Sequence, residues 1–443
     1  MNISINKYLL ALCAGFFLFA SCETFLGDDD FNVNPNKPVE VTVSAQLPEI
    51  GIQIADLYGG AFSRFNCMLV QQVEGVERQW SAFNQYTGLT PVRFDAAWSN
   101  TYENILIESR IARGKSVEGG FNHYEAVFNV LESFMLLTAT DVWDDMPYTE
   151  ATGGLDNLSP VFDSQESIYA ASLALIDRSI TLLEGDGGPI VPGGDDVYYG
   201  GSATQWAKAA RALRARTILK QGDLDGAAAL ASSSFESAAD NLAFQYPDAN
   251  NPGQWSRFNR DRTGDLEFHP QFGDLLTSLD DTMRLNVLNP TFNPSHPYLI
   301  AAFNQELITY REMQFIIAEA SLDADDDDDD SGYEAYLNGI RASFDRLGLS
   351  EDDYDNYVGQ DNIGVGADNL TLENVMTQKY IALYLQPEAY SDWRRTDIPN
   401  LEPTNGNIIP VRWHYSQDEY LFNTNAPNEN DVNIYTDNVG WDN

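Results

Sequence analysis

Residues 127–137 read Val-Phe-Asn-Val-Leu-Glu-Ser-Phe-Met-Leu-Leu. The apolar side chains Val127, Val130, Leu131, Phe134 and Leu137 recur at three- and four-residue intervals, the period of one helix face and not the alternation of a strand. The same period returns at Trp98, Tyr102, Ile105 and Leu106, and at Ile168, Leu175, Ile176, Ile180 and Leu183 behind a helix start at Asp163 or Ser164. It returns again at Trp206, Ala210, Leu213 and Thr217, at Met313, Ile316, Ile317 and Ala320, and at Leu372, Val375, Met376 and Leu383, where Pro387 helps to end the run. Alternating apolar runs of strand length are scarce, so the fold class expected is mainly α. Small residues at Ala207, Ala209, Ala210 and Ala212 let neighbouring helices approach closely and suggest helix–turn–helix pairs, although no 34-residue repeat is legible. Between about residues 240 and 305 the helical period lapses, and Pro247, Pro252, Pro270, Pro290, Pro294 and Pro297 interrupt the chain. A long irregular insertion on a rigid helical frame is where binding groups tend to sit.

The chain has 443 residues, with 67 Asp plus Glu against 25 Lys plus Arg, a formal charge of −42. Hydrophobic residues at 43% and aromatic residues at 12% suffice for a packed core, which excludes a disordered acidic chain. The negative charge repels polyphosphate and anionic lipid at long range, so nucleic acid is excluded as a partner and so is peripheral docking on lipid headgroups. Three Cys cannot build a disulfide scaffold. Excess Asp and Glu keep a protein hydrated in high salt, which points to a saline habitat.

At the N-terminus Lys7 precedes an apolar run from Tyr8 to Ala20, too short to span a bilayer and suited to the core of a secretory signal. The run ends Phe19-Ala20-Ser21-Cys22, which resembles a bacterial lipobox with Cys22 as the lipidated residue. Acyl chains contribute about 0.8 kcal/mol per buried CH₂, so two or three of them hold a protein firmly to a membrane. The organisation expected is a signal peptide over 1–21, a lipidated flexible tether over 22–40, and a single α domain over 41–443 with the irregular insertion at about 240–305. Cys13 leaves with the signal, and Cys67 remains as one buried free thiol.

Several phrases resemble the SusD/RagB family of outer-membrane lipoproteins of Bacteroidetes, and its second large subgroup most closely. Thr140-Asp141-Val142-Trp143-Asp144-Asp145-Met146-Pro147-Tyr148-Thr149-Glu150-Ala151 resembles one family phrase, and Asp196-Val197-Tyr198-Tyr199-Gly200-Gly201 with Trp206-Ala207-Lys208 a second. Gln378-Lys379-Tyr380-Ile381-Ala382-Leu383 and Tyr390-Ser391-Asp392-Trp393-Arg394-Arg395-Thr396 resemble a third. Ile409-Pro410-Val411-Arg412 with Tyr415, Glu419 and Asn423 is a fourth, and Trp441-Asp442 stands where many members end. They occur in the family's order over nearly the whole mature chain. The departures are Asp144 where Gly is usual, Ser202 where Asp is usual and Arg211 where Asn is usual. Within these phrases Asp141, Tyr148, Arg394 and Arg395 read as buried hydrogen-bonding and ion-pairing groups that fix helix ends. The resemblance implies four tetratricopeptide-like helix pairs and a looped ligand face on a surface lipoprotein that sits as a lid on a SusC/RagA-type TonB-dependent transporter. It implies capture of an oligosaccharide, or in some members a peptide, for delivery to that transporter without chemistry.

A neutral glycan is recognised by flat aromatic platforms and a few planar polar groups. Of the eight Trp, Trp98 and Trp206 fall on apolar helical stripes, Trp143 and Trp393 lie inside family phrases, and Trp441 ends the chain. Trp255, inside the insertion, is the first candidate platform, with Arg257 and Arg260 as donors for hydroxyls or a carboxylate. The bland reading is that Trp255 anchors its loop and the arginines pair with Asp261 and Asp265. Trp80 with Tyr86 is the second candidate and Trp413 the third. The acidic run Asp323–Asp330 places carboxylates at calcium-loop spacing with Glu334 at position 12, but Asp328 stands where the sharp turn needs Gly, so a structural Ca²⁺ is a minor reading and no cofactor is expected.

Four scattered His and the lack of any H-E-x-x-H, G-x-S-x-G, phosphate-loop or C-x-x-C pattern argue against an enzyme. The function expected is capture of an oligosaccharide or polysaccharide at the cell surface for a TonB-dependent transporter, and scarce cations narrow the ligand to a neutral β-glucan such as laminarin. The alternatives are a peptide-binding member of the same family and a surface glycoside hydrolase.

Overall fold

The computed structural model of the protein describes residues 41–289, 296–322 and 329–442. The signal peptide, Cys22 and the tether lie outside the described residues, as does most of the acidic run from Asp323. From Val43 to Asn443 the chain is one unit by its internal contacts.

The chain opens with a long apolar helix, α1 (Val43–Leu57), which widens into a π-helical turn (Tyr58–Phe62) and resumes as α2 (Ser63–Leu69). A short α3 (Arg78–Phe83) and α4 (Asp95–Ser99) follow, and α4 widens into a second π-helix (Asn100–Leu106) before α5 (Ile107–Gly119). The stretch predicted from the 127–137 period is the centre of α6 (Asn122–Trp143), which packs between α5 and α7 (Gln165–Leu183). The series continues through α8 (Ala203–Lys220) and α9 (Leu224–Ser232), each helix lying against the next. This serial pairing is the tetratricopeptide-like arrangement of a mainly helical fold. The Ala seam explains the closeness of α8 to its neighbours: Ala209, Ala210 and Ala212 are fully buried.

The insertion is not structureless. It contains α10 (Gln254–Asp261), α11 (Pro270–Ser278) and α12 (Thr282–Leu288), separated by loops. Two antiparallel strand pairs stitch it to the frame. β1 (Val73–Gly75) pairs with β5 (Leu266–Phe268), and β4 (Leu242–Gln245) pairs with β6 (Asn304–Ile308), while β2 (Met146–Pro147) and β3 (Phe162–Asp163) form a separate antiparallel pair on the frame. Beyond β6, α13 (Tyr310–Ser321) and α14 (Asp329–Arg346) pack as a pair, with α15 (Glu351–Val358) and α16 (Leu372–Ala382) beside them. α17 (Glu388–Thr396) and a short α18 (Gln417–Phe422) complete the helices.

Local chemistry accounts for the boundaries. Ser164 starts α7 by accepting the Ser167 N–H at 3.3 Å, and Ser202 starts α8 by accepting from Gln205 N–H at 3.3 Å. Thr371 and Asn374 form a reciprocal capping box on α16. α16 ends at Ala382, before Leu383, and Pro387 sits at the N-cap of α17, so it opens a helix as much as it closes one. Asp144 takes φ +71° and ψ −130°, a region close to glycine's own, which explains the Gly usual in the family phrase. Its carboxylate offsets the strain by accepting Gly440 N–H at 2.8 Å and facing Arg412 at 3.4 Å.

The expected structural groups are tied into buried ion pairs. Lys220 Nζ lies 2.5 Å from Asp141 and 2.6 Å from Glu388, and Arg216 meets Glu312 at 2.5 Å. Arg394 donates to the Asp141 carbonyl at 2.7 Å, Arg395 pairs with Glu319, and the Tyr148 hydroxyl donates to Glu132 at 3.3 Å. These contacts join α6, α8, α13 and α17. Cys67 is buried and free, and burial pushes its thiol well above the ordinary range.

Candidate functional site

Polar and small apolar residues placed next to each other by α1, α2, α4 and α10 line an open cavity of about 280 Å³. α1 supplies Gln53 and Asp56, the first turn of α2 supplies Arg64, α4 supplies Ala96 and Ala97, and α10 supplies Gln254 and Arg257. The floor is the π-helical turn Tyr58–Phe62. π-helical turns are rare and recur at functional sites. Its two glycines have separate jobs. A Cβ on Gly59 would stand 2.0 Å from Gln305 Oε1, so only glycine admits that side chain from β6. A Cβ on Gly60 would meet Gln254 Oε1 at 3.4 Å and the Arg64 guanidinium at 3.6 Å, which places both polar groups over the same point of the floor.

Arg64 is half-buried, and its guanidinium lies 4.8 Å from the centre of the Phe258 ring. Burial pulls it down to about 10, still charged at neutral pH, and no carboxylate is among the causes. Arg257 is exposed at the rim. Asp56 accepts the Tyr246 hydroxyl at 2.5 Å, and burial first, then Asp56, pushes that phenol well above its ordinary range.

The structure separates the sequence candidates. Trp255 is 2% exposed and donates its indole N–H to Ser63 Oγ at 2.9 Å, so it anchors α10 and presents no ring face to solvent. Its neighbour Arg257 does face the cavity. Arg260 points elsewhere, paired with Asp261 at 2.9 Å. Trp80 is 5% exposed, packed edge-on against Phe83 and Phe258 with centroids 5.5 Å and 5.4 Å away, and its indole N–H has no partner among the described residues. Tyr86 is buried, its hydroxyl accepting from Gln71 Nε2 at 2.8 Å. Trp413 is buried between the rings of Phe62 and Phe94. An open sugar platform is therefore not what these rings form here; all four belong to the buried core. Arg64, Gln254 and Asp56 line the cavity without belonging to any sequence motif. The available signal was Arg64 as the one charged residue between Leu57 and Val73.

Two other cavities are less apt. One of about 390 Å³ is lined by Glu166, Tyr169, Lys220 and Trp441, but Lys220 is committed to two carboxylates and the Trp441 indole to Asp141 at 2.9 Å. Another of about 330 Å³ lies beside Phe272, Tyr380 and Leu401, where Gln71 Nε2 already donates to the Glu402 carbonyl at 2.7 Å. Among the described residues no group of three His, Cys, Asp or Glu is placed to hold a metal ion, and no helix is long and apolar enough to cross a membrane.

The sequence matches the family SusD-like_2, described as "Starch-binding associating with outer membrane", over residues 35–296 and 292–416. The fold is similar to that of a SusD/RagB family protein from Bacteroides thetaiotaomicron, at TM-score 0.77 and 20% identity, covering 91% of this chain and 99% of that one. It is similar to a chitin-binding protein at TM-score 0.75 and 22% identity, covering 90% and 100% of the two chains. It is also similar to a chitin-binding SusD homolog from Flavobacterium johnsoniae, at TM-score 0.71 and 18% identity, covering 90% and 96%. No curated protein sequence matches it.

Proposed function

The chain belongs to the SusD-like family of outer-membrane-associated glycan-binding proteins, and from that premise we propose that it captures an oligosaccharide or polysaccharide at the cell surface and hands it to a TonB-dependent transporter of the SusC/RagA type, without catalysis. The lipid on Cys22 and the tether over 22–40 hold the 41–443 domain at the outer membrane in this reading. The observation that carries it is the cavity between α1, α4 and α10. There Arg64, Arg257, Gln254 and Asp56 bring guanidinium, amide and carboxylate groups together, a donor and acceptor set suited to sugar hydroxyls. The buried rings of Trp80 and Trp255 and the half-buried ring of Phe258 pack beside it. The sequence expectation of a neutral β-glucan such as laminarin rests on scarce cations, and two of those cations stand in this cavity, so neutral glucans enter the test as one class among several.

The test is native affinity electrophoresis of the protein with Cys22→Ser, which stays unacylated, through gels containing amylose, laminarin, xylan, mannan, pectin or alginate. Retardation by at least one polysaccharide, with no reducing ends released on incubation, is the expected result. Unretarded migration on every gel would transfer the function to a peptide cargo, and release of reducing ends would make the protein a hydrolase.

A further inference from the structure

The acidic chain ties most of its cations to carboxylates, as in Arg78–Asp265, Arg110–Glu132 and Arg311–Glu306. Five arginines depart from that rule. Among the described residues Arg64, Arg93, Arg257, Arg262 and Arg394 have no carboxylate within ion-pair distance, although the chain carries 67 acidic side chains. Arg394 is spent on the backbone carbonyls of Asp141 and Val411. The other four are not scattered. Arg93 stacks over Phe83 at 5.5 Å, Phe83 meets Trp80, Trp80 meets Phe258, and Phe258 lies under Arg64 at 4.8 Å. Arg257 and Arg262 belong to the same α10 segment as Phe258, Arg262 at its C-cap. Two of the four, Arg64 and Arg257, line the 280 Å³ cavity.

A half-buried guanidinium left without a counter-ion is costly, and the cost is recovered when an anion arrives. The single carboxylate of the cavity, Asp56, is turned to the Tyr246 hydroxyl, so the described lining carries two positive charges against one negative. We infer that this cavity receives an anionic group of the captured saccharide, a carboxylate or a sulfate, between Arg64 and Arg257. This inference rests on the glycan-capture reading above and assigns the charge of its ligand. The chain's overall charge does not cancel the effect. At physiological ionic strength screening confines repulsion from distant carboxylates to about 8 Å, and to less in brine, whereas the two contact guanidiniums act at hydrogen-bond range.

The test is calorimetric titration of the Cys22→Ser protein with oligogalacturonate, with its carboxyl-reduced neutral counterpart of the same length and linkage, and with sulfated carrageenan oligosaccharide. At least one anionic probe is expected to bind about tenfold or more tightly than the neutral one, in the range of one charge-assisted contact. Preference for oligogalacturonate assigns a carboxylate, and preference for carrageenan assigns a sulfate. Arg257→Gln, at an exposed position, keeps a planar N–H donor for hydroxyls and removes the charge, so it is expected to lower the anionic affinity about tenfold and the neutral affinity by less. Arg64→Gln should act in the same direction. Equal or tighter binding of the neutral probe, or anionic binding unchanged in Arg257→Gln, overturns the charge assignment and leaves glycan capture standing if the gels show retardation. Failure on every gel overturns the reading beneath it as well.

Discussion

Trp255 and Ser63 tie the two arginine-bearing helices together: the indole N–H of Trp255 on α10 donates to Ser63 Oγ on α2 at 2.9 Å, and the Ser63 hydroxyl donates onward to the Leu385 carbonyl at 2.7 Å. Arg257 follows Trp255 by two residues and Arg64 follows Ser63 by one. One buried hydrogen bond between residues 192 positions apart therefore sets how the two guanidiniums face each other. Trp255→Phe keeps an aromatic ring at the position, smaller than the indole, and removes the donor. It is expected to cost about 1 kcal/mol of stability in urea unfolding and to weaken retardation on affinity gels several-fold, because α10 is no longer pinned. Unchanged binding in a folded Trp255→Phe protein would show that α10 holds Arg257 by other means.

Lys220 neutralises two buried carboxylates at once, Asp141 and Glu388. Lys220→Met leaves Asp141 without a cation and Glu388 with Arg216 alone, 3.8 Å away, and should cost about 3–5 kcal/mol in urea unfolding, far more than the loss of an exposed pair such as Arg260–Asp261. Stability within 1 kcal/mol of wild type would mean that the network relaxes around the gap.

Two buried histidines set a pH dependence. His269 Nδ1 accepts the Gln271 N–H at 3.1 Å, and His296 Nδ1 accepts from Tyr298 N–H at 3.3 Å. Burial pushes both imidazoles down to about 4. In the unfolded chain they titrate near 6.5, so between about pH 6.5 and pH 4 the unfolded state binds more protons and stability falls as pH falls. Each contributes up to about 1.4 kcal/mol per pH unit within that window. His269→Asn retains an acceptor for the helix start and should flatten the fall between about pH 6.5 and pH 5. An identical slope in the variant would contradict this origin.

A net charge of −42 repels itself, and added salt screens that repulsion. The midpoint of thermal unfolding should rise as NaCl is raised from low to seawater strength. A flat response would remove the argument for a saline habitat.

Much of the frame was legible because helix period and caps are local. Ser164 begins α7 as the sequence suggests, and Trp98 and Trp206 are core residues as their stripes indicate. The widening of α1 and α4 into π-helical turns was not legible, since one extra residue per turn barely disturbs an apolar stripe. Trp255 shows the limit at the site. A flat ring with an N–H serves equally as a sugar platform or as an anchor, and the choice is made by Ser63, far away in sequence. Arg64 lay hidden inside an apolar helix, where a lone cation reads as a side chain reaching for solvent, and only folding brings it beside Gln254 and Arg257.

The central claim is that glycan occupies the cavity between α1, α4 and α10. Ala96 is exposed on the cavity wall, so Ala96→Trp places a large ring in the mouth without removing any packed atom. Affinity electrophoresis of this variant beside wild type, on whichever polysaccharide retards the wild type, is the most direct measurement. Retardation should be lost while the midpoint of thermal unfolding stays unchanged. Full retardation of a normally folded Ala96→Trp protein would place the glycan elsewhere and contradict the assignment.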